Sequence, residues 1–274
     1  MADLANRTQT MHPDEATIEQ TAQALIALRA NDGKGPHPDA PVDLVDAYRV
    51  QFAMERILAA RSGFHPIGWK IGATNAGARA AFKLEAPFLG RLYREMTSVS
   101  PAALPALPGF YRAYEAEIVL NLGSDLHASA GPVNAAAVRA ATRAIAPAIE
   151  MVGGWVPVAG PNGAFGLIAD DAGHGRWILG AEIVDFAALD LLDAPVTFSL
   201  DGETRAVGKG ANVDGGPFGA TAWLANELAK LGRSLKAGDY ITTGTAIAPV
   251  PFGAGGQTAV ADFGALGRVE VKIG

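Results

Sequence analysis

The texture of the chain changes once, near residue 67, and that change constrains the fold more than any single motif. Before it, apolar residues recur at helical spacing. Ile18, Ala22, Leu25, Ile26 and Leu28 predict a helix over 18–30, with Asp14 or Thr17 as its N-cap. A breaker run, NDGKGPHPDAP, separates it from a second helix expected over 44–61 and closed by Gly63. Beyond residue 67 the chain breaks into short β-like runs between glycines and prolines: GWKIG, AEIVLNL, AIEMVGG, WILG, VTFSL, YITTG and VEVKIG. Two more helices are expected there, over 134–146 and 220–231. Strands at irregular spacing with few helices predict an α+β protein. A helical N-terminal portion, 1–66, leads into a β-rich catalytic portion, 67–274, on a mixed and mainly antiparallel sheet.

Composition removes several function classes. The 274 residues include no cysteine, which excludes disulfides, thiolate nucleophiles and Cys-ligated zinc or iron–sulfur sites. With 49% hydrophobic residues the chain can outweigh its ordering entropy. A net charge of −6 does not suit a phosphate-backbone binder. No run approaches the ~20 apolar residues that span a bilayer, and the polar start, MADLANRTQT, is unlike a secretory leader. A cytoplasmic protein with neither nucleic-acid nor membrane partners is expected. The 33 glycines follow no fixed period, and point to tight turns and close backbone approach to a ligand. Only 18% of residues are charged, against ~25% in ordinary soluble chains. A charge-poor surface is often covered by sister subunits, so a homo-oligomer is expected.

The acids carry the first chemical signal. In AYEAEIVL, strand alternation puts Glu115 and Glu117 on one face and Tyr114, Ala116 and Ile118 on the other. An exposed strand with a solvated acidic side has this pattern. So does a metal site, because two like charges about 7 Å apart along a strand favour an intervening cation. Glu150 lies in an apolar run, APAIEMVGG, where a buried carboxylate must be paired, protonated or metal-bound; an exposed strand position is the alternative. Three carboxylates without a suitably spaced histidine pair favour a hard divalent cation, Mg²⁺ or Mn²⁺, over zinc.

Lys70 is the second signal, set between Trp69 and Ile71 in GWKIG. It is either a lysine reaching out from a strand, or a cation that faces an anionic substrate or moves protons. Near the C-terminus, GDYITTGT joins a turn and a strand to a hydroxyl- and amide-rich loop suited to binding oxygens, or forms an ordinary hairpin end.

Taken in order, GWKIGAT, YEAEIVL, PAIEMVGGW, IADDAGHGRWILG and GDYITTGT resemble the fumarylacetoacetate hydrolase superfamily. Within it the chain is similar to the 2-keto-4-pentenoate hydratase and 4-oxalocrotonate decarboxylase branch, over roughly 67–274. The resemblance implies a distorted β-roll preceded by helices, usually in oligomers. It also implies a metal held at Glu115, Glu117 and Glu150, a catalytic lysine at Lys70, and substrate contacts from Thr243, Gly244 and Thr245. Two departures stand out. The branch's acid before a Phe-Gly pair is absent from APFLG (86–90), which leaves Glu85 and Asp170 as candidates to supply it. The family's Asp-Asn segment reads Asp170-Asp171-Ala172-Gly173-His174.

The chemistry implied is stabilisation of an enolate. Ketonisation of a 2-hydroxydienoate and addition of water to the conjugated double bond give a 4-hydroxy-2-oxo acid. Hydration of such a 2-oxo acid, as in aromatic catabolism, is therefore expected first. Loss of CO₂ from a 2-oxo-3-enedioate and hydrolysis of an acylpyruvate come next. The last alternative is a non-catalytic partner in a complex with a paralogous decarboxylase.

Overall fold

The computed structural model describes residues 12–106, 109–128, 131–155, 164–253 and 255–274; the polar leader, 1–11, lies outside them. Helices α1 (Glu15–Ala30) and α2 (Leu44–Ser62) come first. Next are β1 (Pro66–Gly72), α3 (Ala76–Phe82), β2 (Phe88–Tyr93), β3 (Thr97–Val99) and β4 (Ala102–Leu104). The long strand β5 (Tyr111–Leu122) is followed by α4 (Ala135–Ala141) and the equally long β6 (Thr142–Gly153). Then come α5 (Phe165–Ala169), β7 (His174–Leu179), β8 (Pro195–Leu200), β9 (Glu203–Lys209) and α6 (Gly216–Lys230). The chain ends with β10 (Tyr240–Thr245), β11 (Val250–Pro251), β12 (Thr258–Asp262) and β13 (Arg268–Ile273).

Local signals set the helix ends. Asp14 caps α1 by accepting from the Thr17 amide. Gly63 closes α2 in the left-handed conformation at φ 64°, which costs glycine little. The expected helix over 134–146 is corrected: it stops at Ala141, and the chain enters β6 at Thr142. Asn134 caps a short helix, and the Thr142 hydroxyl donates to the Val138 carbonyl at its end. Ala144, Ala146 and Ala148 then bury one face of β6 while Ile145, Ile149 and Met151 bury the other. A strand covered on both sides has no polar alternation, so its alanine-rich start reads as helix until β5 pairs with it.

The strands form two sheets. The larger runs β2-β1-β10-β5-β6-β7-β3, with β11 also paired to β5; the smaller runs β4-β13-β12-β8-β9. Among the named strands, β1 with β10, β3 with β7 and β4 with β13 are parallel, and the other pairings are antiparallel. An apolar core joins the sheets to the helices: Ile18, Leu25 and Met54 belong to the same cluster as Tyr114, Ile149, Phe198 and Val271. Tyr114 meets Phe198 at 5.5 Å between ring centres.

Helix α2 is tied to the sheet by polar contacts as well as burial. Gln51 donates to the carbonyls of Leu89 and Ile168, at 2.9 and 2.8 Å, and so joins α2 to β2 and α5. Leucine there would leave two carbonyls without a donor. Gln51→Leu is expected to lower unfolding free energy by about 1–3 kcal/mol, read by urea denaturation; unchanged stability would show that neither bond contributes.

Candidate active site

The register of β5 against β6 assembles the acids. Glu115 lies directly opposite Glu150, and Glu117 follows two residues along the same face of β5. Like charges in opposed positions destabilise a sheet unless something intervenes. Carboxylate oxygens of Glu115, Glu117 and Glu150 all lie within 4.8 Å of one another. The solvated acidic side, open as an alternative from sequence, is not what forms. Glu117 and Glu150 are fully buried, and the face continues into a small apolar cluster containing Val119, Ala146, Ala148 and Trp177.

Burial sets the charge pattern. It pushes Glu115 up to about 7 against the pull of Lys70, with Glu150 adding to the rise. Burial, then Glu150 and Glu115, push Glu117 well above the usual carboxylate range. Burial opposes ionisation of Glu150 too, but Lys70 and His174 hold its pKa below the ordinary value. Glu117 Oε1 and Glu150 Oε2 are buried with no hydrogen-bond partner among the described residues. An all-oxygen set with unclaimed acceptors and repelling charges fits a hard divalent cation.

Lys70 is brought to this cup from β1. Its Nζ lies 2.8 Å from Glu150 Oε1 and donates to the Ala172 carbonyl at 3.1 Å. Trp69 and Ile71 alternate to the opposite side and are buried there, with Arg91 stacked on Trp69 at 3.9 Å. Burial disfavours the ammonium, but Glu150, Glu115 and Glu117 outweigh it and hold the pKa above the ordinary lysine value. Lys70 is therefore protonated at neutral pH.

A loop supplies what sequence reading did not identify. In 170–174, Asp171 and Ala172 are left-handed at φ 51° and 53°, followed by Gly173 at φ 68°; two such residues that are not glycine store strain. His174 Nδ1 is 2.8 Å from Glu150 Oε1. Burial lowers the His174 pKa against the pull of Glu150, so the neutral ring donates from Nδ1 and orients the carboxylate. Gly90 lets this loop close over β2: a Cβ there would come within 2.8 Å of Ala172 Cβ and 3.0 Å of Lys70 Cγ. Arg29, from α1, holds both ends of the loop. Its Nε donates to Asp170 Oδ1 at 2.5 Å, its Nη2 to the Asp170 carbonyl at 2.6 Å, and its Nη1 to the His174 carbonyl at 2.7 Å. Nothing in the sequence pairs residue 29 with 170; only the double acid, DDAGH, marks the loop as unusual.

The remaining expected residues divide. Thr245 lines the cavity above the cup. The Gly244 amide points to Glu117 Oε2 at 3.3 Å. Thr243 is not brought to the cavity: its hydroxyl donates to the Ile118 carbonyl at 2.7 Å in the sheet interior. Neither candidate for the missing acid lines the cavity. Glu85 is exposed ahead of β2, and Asp170 is committed to Arg29. Phe88 stands in the wall near that position, its ring filling the space a Cβ on Gly72 would need.

The cavity measures about 1040 Å³ and is lined by Lys70, Glu115 and Thr245, with Phe82, Phe88, Leu167 and Ile247 among its apolar walls. Buried carboxylates, a buried ammonium and a largely apolar cavity thus meet on the β1, β5 and β6 strands of one sheet. The sequence profile of the fumarylacetoacetate (FAA) hydrolase C-terminal family matches residues 92–274. The chain belongs to this family. It is 34% identical over 254 residues to the 2-hydroxyhexa-2,4-dienoate hydratase of Comamonas testosteroni, covering 88% of this chain and 92% of the relative. It is 30% identical to a 2-keto-4-pentenoate hydratase of Paraburkholderia phymatum, with 98% of each chain covered. Among solved structures, the 4-oxalocrotonate decarboxylase of Pseudomonas putida G7, complexed with magnesium and adipate, superposes with a TM-score of 0.86. That match has 26% identity and covers 96% of this chain and all of the other. The α+β fold, with helices ahead of mixed sheets, is the fold of this family.

The planar fork of Arg29 spans three acceptors, which an ammonium cannot do. Arg29→Lys and Arg29→Ala are both expected to speed hydrogen exchange of the 170–174 amides at least tenfold, with β5 amides unaffected. Full protection in the lysine variant would show that charge alone holds the loop.

Proposed function

We propose that this protein is a divalent-metal-dependent hydratase that adds water to a 2-oxo-enoate formed from a 2-hydroxydienoate. The observation that carries the proposal is the cup of Glu115, Glu117 and Glu150 beside a protonated Lys70, at the base of an apolar cavity. The family relationship and the hydratase relatives support it. Glu115, Glu117 and Glu150 would hold Mg²⁺ or Mn²⁺, the cations that oxygen-only donor sets favour. When bound, such a cation supplies Lewis-acid stabilisation of negative charge at the 2-oxo oxygen of the substrate.

The chain's own residues do the rest. His174 fixes the orientation of Glu150 by donating from Nδ1. Two of the three Lys70 N–H groups meet Glu150 and the Ala172 carbonyl, which leaves one for the substrate carboxylate. The apolar walls limit bulk water around the diene, so the water added is one held at the polar end. The Thr245 hydroxyl and the backbone around Gly244 offer further contacts to substrate oxygens.

Decarboxylation of a 2-oxo-3-enedioate uses the same stabilised enolate, and the decarboxylase likeness keeps it as the second reading. Product analysis with Mg²⁺ decides between them. A 4-hydroxy-2-oxo acid from the 2-hydroxydienoate, abolished by chelator, is expected; CO₂ release from a 2-oxo-3-enedioate with no hydration of the dienoate would overturn the first reading. Lys70→Ala is expected to raise KM at least tenfold with a smaller fall in kcat, the pattern of lost uniform binding. A collapse of kcat at constant KM would make Lys70 a proton carrier instead.

Self-association belongs to the same proposal, as do a cytoplasmic location and pairing with a homologous decarboxylase. Among the described residues no helix is long and apolar enough to cross a membrane. Exposed Val99 and Val207 lie on β3 and β9, one edge strand of each sheet, where unpaired backbone favours contact with another chain. Light scattering is expected to give a multiple of 28.2 kDa; a monomer at micromolar concentration would refute association.

A further inference from the structure

We infer that the site selects 2-oxo acids with a long apolar tail, and rejects those with a second carboxylate at the far end. The inference deepens the proposed function and rests on its reading of the cup and Lys70 as the end that binds the 2-oxo acid. Two observations carry it: the size of the cavity and the commitments of its polar side chains.

The first is space. Ligand pockets for drug-sized molecules run to about 300–1,000 Å³, and this cavity measures about 1040 Å³. A five-carbon acid seated at the cup leaves most of that volume empty. Much of the remaining wall is apolar, built from Phe82, Phe88, Leu167, Ile247, Pro249 and the ring of Trp155. Phe82 and Phe88 meet edge to face, with ring centres 5.7 Å apart, and form a rigid side to it.

The second is charge. Among the described lining residues only Lys70 and Arg112 are cationic, and Lys70 is at the cup. Arg112 sits at the rim and donates to the carbonyls of Gly109, Tyr111 and Gly154, so its guanidinium is already engaged by the backbone. Asn75 Oδ1 accepts from the Ala78 amide and Asn212 Nδ2 donates to the Ala246 carbonyl, so what these asparagines and Trp155 Nε1, unpartnered among the described residues, can still offer is neutral. A distal carboxylate would find neutral donors such as Trp155 Nε1 but no free cation among the described lining residues, and burying its charge without a counter-charge is costly. An alkyl or aryl tail would gain from the same wall.

Saturated 2-oxo acids test this without depending on turnover. Calorimetric titration of the Mg²⁺-loaded protein would compare 2-oxopentanoate, 2-oxohexanoate and 2-oxooctanoate with the diacid 2-oxoadipate. Affinity is expected to rise about fourfold for each added methylene, with 2-oxoadipate at least tenfold weaker than 2-oxohexanoate. Phe82→Ala is expected to flatten the dependence on chain length. A flat series in the unaltered protein would overturn the inference. So would tight binding of 2-oxoadipate that is lost in Arg112→Leu, since it would make Arg112 the anchor of a second carboxylate. A protein that binds the series in the expected order yet hydrates no dienoate would refute the proposed reaction and leave the tail preference standing.

Discussion

Repulsion among three clustered carboxylates, two of them fully buried, is the constraint around which this molecule is arranged. Glu115, Glu117 and Glu150 are held together by the β5–β6 register; a one-residue slip of β5 would turn Glu115 and Glu117 to the opposite face, away from Glu150. The opposite faces of these strands carry Tyr114, Ala116, Ile149 and Met151, all buried. The hydrophobic effect that packs that side therefore imposes the charge density on the other. Lys70 answers part of that charge and His174 orients one carboxylate. Two acceptor oxygens remain unclaimed among the described residues. A divalent cation is the simplest species that completes such a set.

The N-terminal helices take part in this arrangement. Arg29 from α1 clamps the strained loop whose Ala172 carbonyl and His174 ring touch Lys70 and Glu150. Gln51 from α2 holds the backbone of α5, which leads into that loop, and of β2, on which the loop packs. Glu55 pairs with both Arg91 and Arg233, and Arg91 in turn stacks on Trp69, the neighbour of Lys70. The helices thus set the position of the lysine and of the loop over it.

What could be read from the sequence follows from how local each signal is. Glu115 and Glu117 declare a shared face through period-2 alternation, and Lys70 stands out between Trp69 and Ile71; neither signal needs the rest of the fold. The start of β6 misleads because an alanine-rich strand buried on both faces has no polar period to separate it from a helix. The family resemblance places Thr243 with Thr245 at the substrate, and a local irregularity of β10 separates the two. The register with β5 shifts between Thr242 and Thr245, and Gly244 adopts φ 99°. The chain bulges there, Thr243 turns to the Ile118 carbonyl, and Thr245 reaches the cavity. His174 and Arg29 were not legible as a pair of supports, because their partners lie 24 and 141 residues away. Only the folded sheet brings them together.

The central claim is that the three glutamates form one cation site whose mutual repulsion the cation relieves. Thermal unfolding of the wild type and Glu117→Gln, each with and without Mn²⁺, tests it most directly. Replacing Glu117 is predicted to raise the melting temperature of the metal-free protein, because a carboxyl whose ionisation is opposed by burial and by Glu150 and Glu115 is gone. The same change is predicted to abolish the stabilisation that Mn²⁺ gives the wild type, because a ligand is gone as well. A Glu117→Gln protein that is less stable without metal and still stabilised by Mn²⁺ to the wild-type extent would contradict the account.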